Sequence, residues 1–225
     1  MTKKLYIAIV LLVILCVATA AIVYTATQLS APKPAVLGVN VGDTFTYSLK
    51  GISNLGIGAV DTPGFSQYND TDYFKVTITD VNGTSVSMDT AWRFLNGTEN
   101  DANQTIDVST GAETGQNVFW AIYPSNLNVK DLLRPTGYDG VTVNKTDTKT
   151  YADSTRQRNY FSMAGEFFDR NDPTHNTLMY DYRDIYFDKQ TGVLDTFTNY
   201  QEYNNPPMTE VITWSLVNST VWAVQ

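Results

Sequence analysis

Residues 5–23, LYIAIVLLVILCVATAAIV, form an apolar run of 19 residues without a charge. As a helix rising about 1.5 Å per residue, it would be roughly 28 Å long, close to a bilayer's hydrocarbon core. Lys3 and Lys4 precede it, and positive charge favours the cytoplasmic side. The run therefore predicts a single membrane-spanning signal-anchor at the cell membrane, with the rest of the chain extracytoplasmic. Ala18-Thr19-Ala20 has the small residues of a cleavage site. The apolar run continues past it through Ala21, Ile22 and Val23, which favours an uncleaved anchor. The expected division is a cytoplasmic tip and membrane helix over 1–27, a spacer over 28–38 and one extracytoplasmic β-domain over 39–225. Pro32 and Pro34 end the helix and stiffen the spacer.

The lone cysteine, Cys16, lies within the apolar run, so the outer domain must hold together without disulfides. Setting Lys3 and Lys4 aside leaves 13 basic and 23 acidic residues, a formal charge of −10. Such a surface repels nucleic acid and anionic headgroups, so no nucleic-acid partner is expected. The acids are scattered, as suits a solvated surface.

From Val39 onward the hydrophobic period is two. Phe45, Tyr47 and Leu49 alternate with Thr44, Thr46 and Ser48. Phe74, Val76 and Ile78 follow the same rule, as do Val86, Met88, Trp92 and Phe94. These are strands with one buried face. Further strands are expected near 141–151, 157–168, 177–187, 193–202 and 209–222. No βαβ alternation occurs, so the sheet should be antiparallel and the domain all-β, with one or two short helices at most. The one helix signal is Ser125 as a cap for 126–133, with Leu127, Leu132 and Leu133 packing and Pro135 stopping it. Segments 51–70 and 96–116 read as loops. The first holds Leu55, Ile57, Val60 and Phe65, so it suggests either a β-insertion or a lid over a cavity. Around Asn82-Gly83, a three-residue loop Val81-Asn82-Gly83 would pair Ile78 with Val86 and Val76 with Met88, keeping apolar faces together. Gly83 would then take the left-handed position.

Catalytic signals are weak. His175 is the only histidine and follows a turn sequence, Asn171-Asp172-Pro173. No G-x-S-x-G elbow, H-E-x-x-H or phosphate-binding glycine loop is present. Asp169-Arg170-Asn171-Asp172 lacks the glycine and distal glutamate of a calcium loop. Glu166, Asp169, Asp181, Asp184 and Asp188 could supply a glycosidase pair, as any acidic domain could. No catalytic residue, metal or cofactor is expected.

Aromatic residues make up 12% of the chain. Tyr180 and Tyr182 share one face of their strand, Ile185 and Phe187 the other. A strand apolar on both faces has something covering each. The candidate ligand contacts are Phe119, Trp120, Tyr180, Tyr182 and Phe187. Six Asn-x-Thr sequons, at Asn69, Asn82, Asn96, Asn103, Asn144 and Asn218, are candidate glycosylation sites of an exported domain.

Three stretches carry a resemblance. Val39-Asn40-Val41-Gly42-Asp43-Thr44-Phe45-Thr46-Tyr47 is similar to the opening of archaeal membrane-anchored surface proteins of unknown function. Residues 79–86 (TDVNGTSV) resemble their first hairpin, and 186–194 (YFDKQTGVL) their late one. The late hairpin also resembles that of LolA- and LppX-like lipid carriers. This likeness implies a curved antiparallel half-barrel with an apolar concave face, closed by helices in those carriers. The expected function is a non-enzymatic, membrane-anchored binding module for a lipid-like or apolar ligand. The alternatives are a structural or interaction protein of the envelope, contacting other envelope proteins, and an envelope glycan or peptide hydrolase.

Overall fold

The structure is a computed structural model that describes residues 16, 19, 32–116, 118–166, 178–204 and 206–224. The chain divides into two compact units, Met1–Lys33 and Pro34–Gln225. Cys16 and Thr19 are helical. The rest of the expected membrane helix at 5–23 lies outside the described residues. Among those described, no helix is long and apolar enough to cross a membrane.

The second unit is all-β. Its strands are β1 (Thr44–Leu55), β2 (Thr71–Asn82), β3 (Ser85–Phe94), β4 (Glu99–Asp107), β5 (Glu113–Gly115), β6 (Lys145–Thr150), β7 (Thr155–Glu166), β8 (Leu178–Asp188), β9 (Leu194–Asn204) and β10 (Pro207–Ser219). They form one open antiparallel sheet in the order β5-β4-β3-β2-β1-β10-β9-β8-β7-β6. The first and last strands pair at its centre, from Phe45 opposite Ser219 to Leu55 opposite Met208. On either side, the described strands follow one another to the edge.

Alternation decides which face is buried. Phe45, Tyr47 and Leu49 of β1 point to the core side, as do Phe74, Val76 and Ile78 of β2 and Ile212, Trp214 and Leu216 of β10. Ser48 and Lys50 between them are exposed. Each fully buried side chain of this size contributes about 1.5–3 kcal/mol.

β5 and β6 are consecutive in the chain yet lie at opposite edges, so their connection must cross the sheet. It crosses on the core side. Ala121, Ile122, Tyr123, Leu127, Leu133 and Val143 of this segment are buried in the same cluster as the strand residues. The buried Gln104 of β4 fixes one end: its amide nitrogen donates to the Phe119 carbonyl at 2.7 Å and its oxygen accepts the Phe119 N–H at 2.7 Å. Further along, the Tyr123 N–H donates to the Gly192 carbonyl and the Leu194 N–H to the Ala121 carbonyl, both at 2.8 Å. Asn159 of β7 donates to the Leu127 carbonyl at 2.9 Å. Gln104→Ala should cost about 2 kcal/mol in urea unfolding, because two backbone groups of Phe119 lose their partner. An unchanged midpoint would show that Gln104 does not hold the segment.

Three local expectations are corrected. Residues 126–133 are not a helix: Asn126 and Lys130 have positive φ, 57° and 75°. Their backbone groups bond elsewhere, Asn126 N–H to the Lys189 carbonyl and Lys130 N–H to the Val143 carbonyl. Leu127 and Leu133 are buried as expected, against the sheet. The segment 51–70 begins as a continuation of β1, with Gly51 opposite Ile212. Beyond it, Ile57 and Val60 are exposed and Phe65 alone of the apolar residues is buried. The segment 96–116 contains β4 and β5; polar residues at core-side positions of β4, Asn100 and the buried Gln104, hid the alternation.

The expected three-residue loop, with Ile78 opposite Val86 and Val76 opposite Met88, is corrected too: Val76 lies opposite Thr90. Asn82 pairs with Ser85 and Val81 with Val86, giving a two-residue Gly83-Thr84 turn. A register shift between Ile78 and Asp80 then sets Ile78 opposite Met88. The bulge, rather than a longer loop, keeps the apolar faces together. Gly83 is left-handed as expected, with φ 61°.

Candidate ligand-binding site

Two cavities open on the core side of the sheet, and Val118 and Phe119 of the crossing segment line both. The smaller, about 260 Å³, lies toward β7–β9 and is bounded by Trp120, Tyr123, Phe161, Ile185, Leu194 and Phe197. The larger, about 430 Å³, lies toward β2–β4 and is bounded by Tyr68, Phe74, Trp92 and Trp214, with Asn100 and Asp101 at its polar side.

The wall between them is aromatic. Phe119 stacks on Trp214 with ring centres 4.2 Å apart and 21° between planes. It meets Phe74 at 5.0 Å and Tyr47 at 5.5 Å edge-on. Trp214 also meets Phe74 at 4.9 Å and Trp92 at 6.2 Å. Period-two alternation puts Phe74, Trp92 and Trp214 on this face, while Gln104 holds the Phe119 backbone. The Trp92 indole is pinned by a 2.7 Å bond to the Thr71 hydroxyl.

Arginines enter the smaller cavity from two elements. Arg134 of the crossing segment lies 4.4 Å over the Trp120 ring and is paired with Asp139. Arg183 of β8 holds Asp181 through Nε at 3.2 Å and Nη2 at 2.7 Å. Asn199 faces Arg183 across the β8–β9 ladder, and its buried Oδ1 has no partner among the described residues. Burial pushes the Tyr123 phenol well above its ordinary pKa, so the wall beside the arginines stays neutral.

Phe119 and Trp120 thus come together at a cavity. Trp120 also donates from Nε1 to Glu113 at 2.7 Å. Phe187 is fully buried and stacks on Tyr123 at 4.9 Å, behind the cavity wall. Tyr180 and Tyr182 alternate with the buried Asp181 and so lie on the opposite face, their rings 6.3 Å apart. The five candidates therefore do not form one site. Tyr68, Phe161, Phe197, Arg134 and Arg183 were not singled out from sequence. Alternation could have placed the aromatic strand residues, whereas nothing in the local sequence marks the two arginines.

Of the carboxylates named from sequence, Asp181, Asp184 and Asp188 each have separate partners: Arg183 for Asp181, Tyr160 and Tyr182 for Asp184, and Arg156 for Asp188. Asp188 is fully buried and bound by Arg156 at 2.7 and 2.9 Å. It also accepts both the N–H and hydroxyl of Thr191 at 2.8 Å. This explains the DKQTG hairpin as a turn device. His175 and Asp169 lie outside the described residues. No cluster of three metal-binding side chains occurs among the described residues. All six sequon asparagines are exposed. Asn69 uses both ends of its amide on the Gly51 backbone, at 3.0 Å each. Asn96 accepts from the N–H and hydroxyl of Thr98 at 2.9 and 2.6 Å.

No protein-family model matches the chain, and no curated protein or solved structure does so either.

Proposed function

We propose that this chain is a membrane-anchored, extracytoplasmic binding module that holds an apolar, lipid-like ligand between its sheet and the crossing segment, without catalysis. The observation that carries this reading is the pair of aromatic-lined cavities sharing Val118 and Phe119. Their volumes fall at or near the range of small-molecule sites, about 300–1,000 Å³. The apolar run at 5–23 supports the anchor.

A bent sheet is part of the proposal. Phe119 is fixed to β4 and Leu127 to β7, seven strand spacings apart in the sheet order. On a flat sheet that separation would be about 33 Å. Eight residues of chain reach at most about 29 Å, and the connecting side chains stand off the sheet rather than along it. These figures support a half-barrel curled round its own chain, which does the covering that helices do in the lipid carriers it resembles.

The test is native mass spectrometry of the full-length chain, gently extracted from its own membrane. A co-purifying lipid-sized mass, lost on denaturation, is expected. A mass equal to the bare or merely glycosylated chain in repeated preparations would overturn the reading in favour of an envelope structural role.

A further inference from the structure

We infer that the ligand is an amphipathic anion, whose carboxylate or phosphate head is met by Arg134 and Arg183 while its apolar tail lies against Phe119, Phe161 and Phe197. The inference rests on the binding reading above and names the chemistry of the ligand.

Arg134 and Arg183 are the only charged residues among the described residues lining the smaller cavity. They arrive from separate elements, the crossing segment and β8, in a domain with far more acidic than basic residues. Bringing two of its scarce cations to one apolar cavity is opposite to the general charge. The larger cavity differs: its only charged lining residue among those described is Asp101. Of the two cavities, guanidinium donors therefore line only the smaller one, and an oxyanion head is directed there.

The guanidiniums are held in place. Asp181 takes Nε and Nη2 of Arg183, so that side chain is oriented by a fork along one edge. Arg134 is flattened against Trp120, and Asp139 takes its Nη1. Each guanidinium carries five N–H donors, and neither carboxylate engages all of them. A planar, pre-oriented guanidinium suits an oxyanion better than a flexible ammonium does. An uncharged alcohol of the same length would fill the apolar part equally and gain nothing from the arginines.

The experiment uses the full-length chain in phosphatidylcholine nanodiscs, with empty nanodiscs as the blank. Octanoate, octyl phosphate and octanol are titrated in turn while tryptophan emission is read. One or both anions should bind at least tenfold more tightly than octanol. Preference for octyl phosphate points to a phospholipid-like source, preference for octanoate to a fatty-acid-like one. In Arg134→Gln the anion preference should fall several-fold. Arg183→Gln is combined with Asp181→Asn so that no buried carboxylate is left alone, and should behave likewise. Arg93→Gln, which lines neither cavity, should keep the preference. Octanol binding as tightly as both anions, or a preference that survives both arginine variants, overturns the inference and leaves the apolar site standing. If none of the three probes binds, the binding reading fails as well.

Discussion

Asp195→Ala is expected to destabilise the β-domain by about 3–5 kcal/mol, the range for breaking a buried ion pair from one side. Asp195 is fully buried. It accepts hydrogen bonds from Lys149 at 2.8 Å, Tyr151 at 2.7 Å and Arg158 at 2.7 Å. Arg158 also holds Asp147 through two bonds of 3.0 Å. One carboxylate thus ties β6 and β7 to the start of β9, where it sits in a register shift opposite Tyr186 and Phe187. Without it, Arg158 and Lys149 keep their charge beside buried surface with a partner missing. Urea unfolding at pH 7 measures the loss, and a midpoint close to wild type would show that the network contributes little.

The same carboxylate gives a pH dependence. Burial by itself would raise its pKa, but the hydrogen bonds from Lys149, Tyr151 and Arg158 outweigh burial and hold it below the ordinary value. A carboxyl lowered in the folded state adds stability that is complete above its unfolded pKa of about 3.9. That stability is lost as pH falls through the folded value. The wild-type midpoint should therefore drop below about pH 4, and Asp195→Asn should drop less over the same interval, having no proton to take up there. Equal slopes would assign acid sensitivity to other carboxyls.

Gly192→Ala is expected to cost about 2–5 kcal/mol. Gly192 has φ 78°, a conformation in which a side chain costs about 1–2 kcal/mol. A Cβ there would also lie 1.9 Å from the Tyr123 carbonyl oxygen and 2.9 Å from its carbon. Backbone cannot rotate away as a side-chain tip can, so overpacking adds roughly 1–3 kcal/mol. Gly83→Ala supplies the comparison. Gly83 is also left-handed, at φ 61°, but nothing lies within 4 Å of its added Cβ. It should lose only the backbone part, about 1–2 kcal/mol. The difference between the two variants isolates the contact between the β8–β9 hairpin and the crossing segment. Equal losses would show that this contact is loose.

Some of the site was legible in advance and some was not. Phe119 and Trp120 were singled out as aromatic, and they do line a cavity. Phe187 was singled out on the same grounds but is sealed behind Tyr123, because aromatic character alone does not separate a wall from the packing behind it. Tyr180 and Tyr182 were correctly assigned to one face, but that face is turned away from the core. Arg134 and Arg183 were missed because a cation's partners lie far off in sequence: Arg183 meets the cavity wall built by residues near 119 and 197 only after the sheet has formed. The helix expected at 126–133 failed for a related reason. Its leucines are spaced for a buried face, but the N–H groups of Asn126, Lys130 and Leu133 donate to the carbonyls of Lys189, Val143 and Val141, outside the segment, instead of closing helical turns.

The amino-acid pattern alone was enough for the all-β class, the apolar N-terminal run, the lack of any cysteine beyond Cys16 and the inward residues of β1, β2 and β3. These follow from local rules: a period of two, composition, and the length of an uncharged run. The strand order, the bulge that sets the β2–β3 register and the path of the chain from one sheet edge to the other emerge only when the chain is folded. That path creates the two cavities and brings the arginines to one of them. It is set by which buried backbone groups find partners across long separations, such as Gln104 with Phe119 and Gly192 with Tyr123. No short-range pattern encodes those choices, because each depends on the free energy of the whole packed sheet.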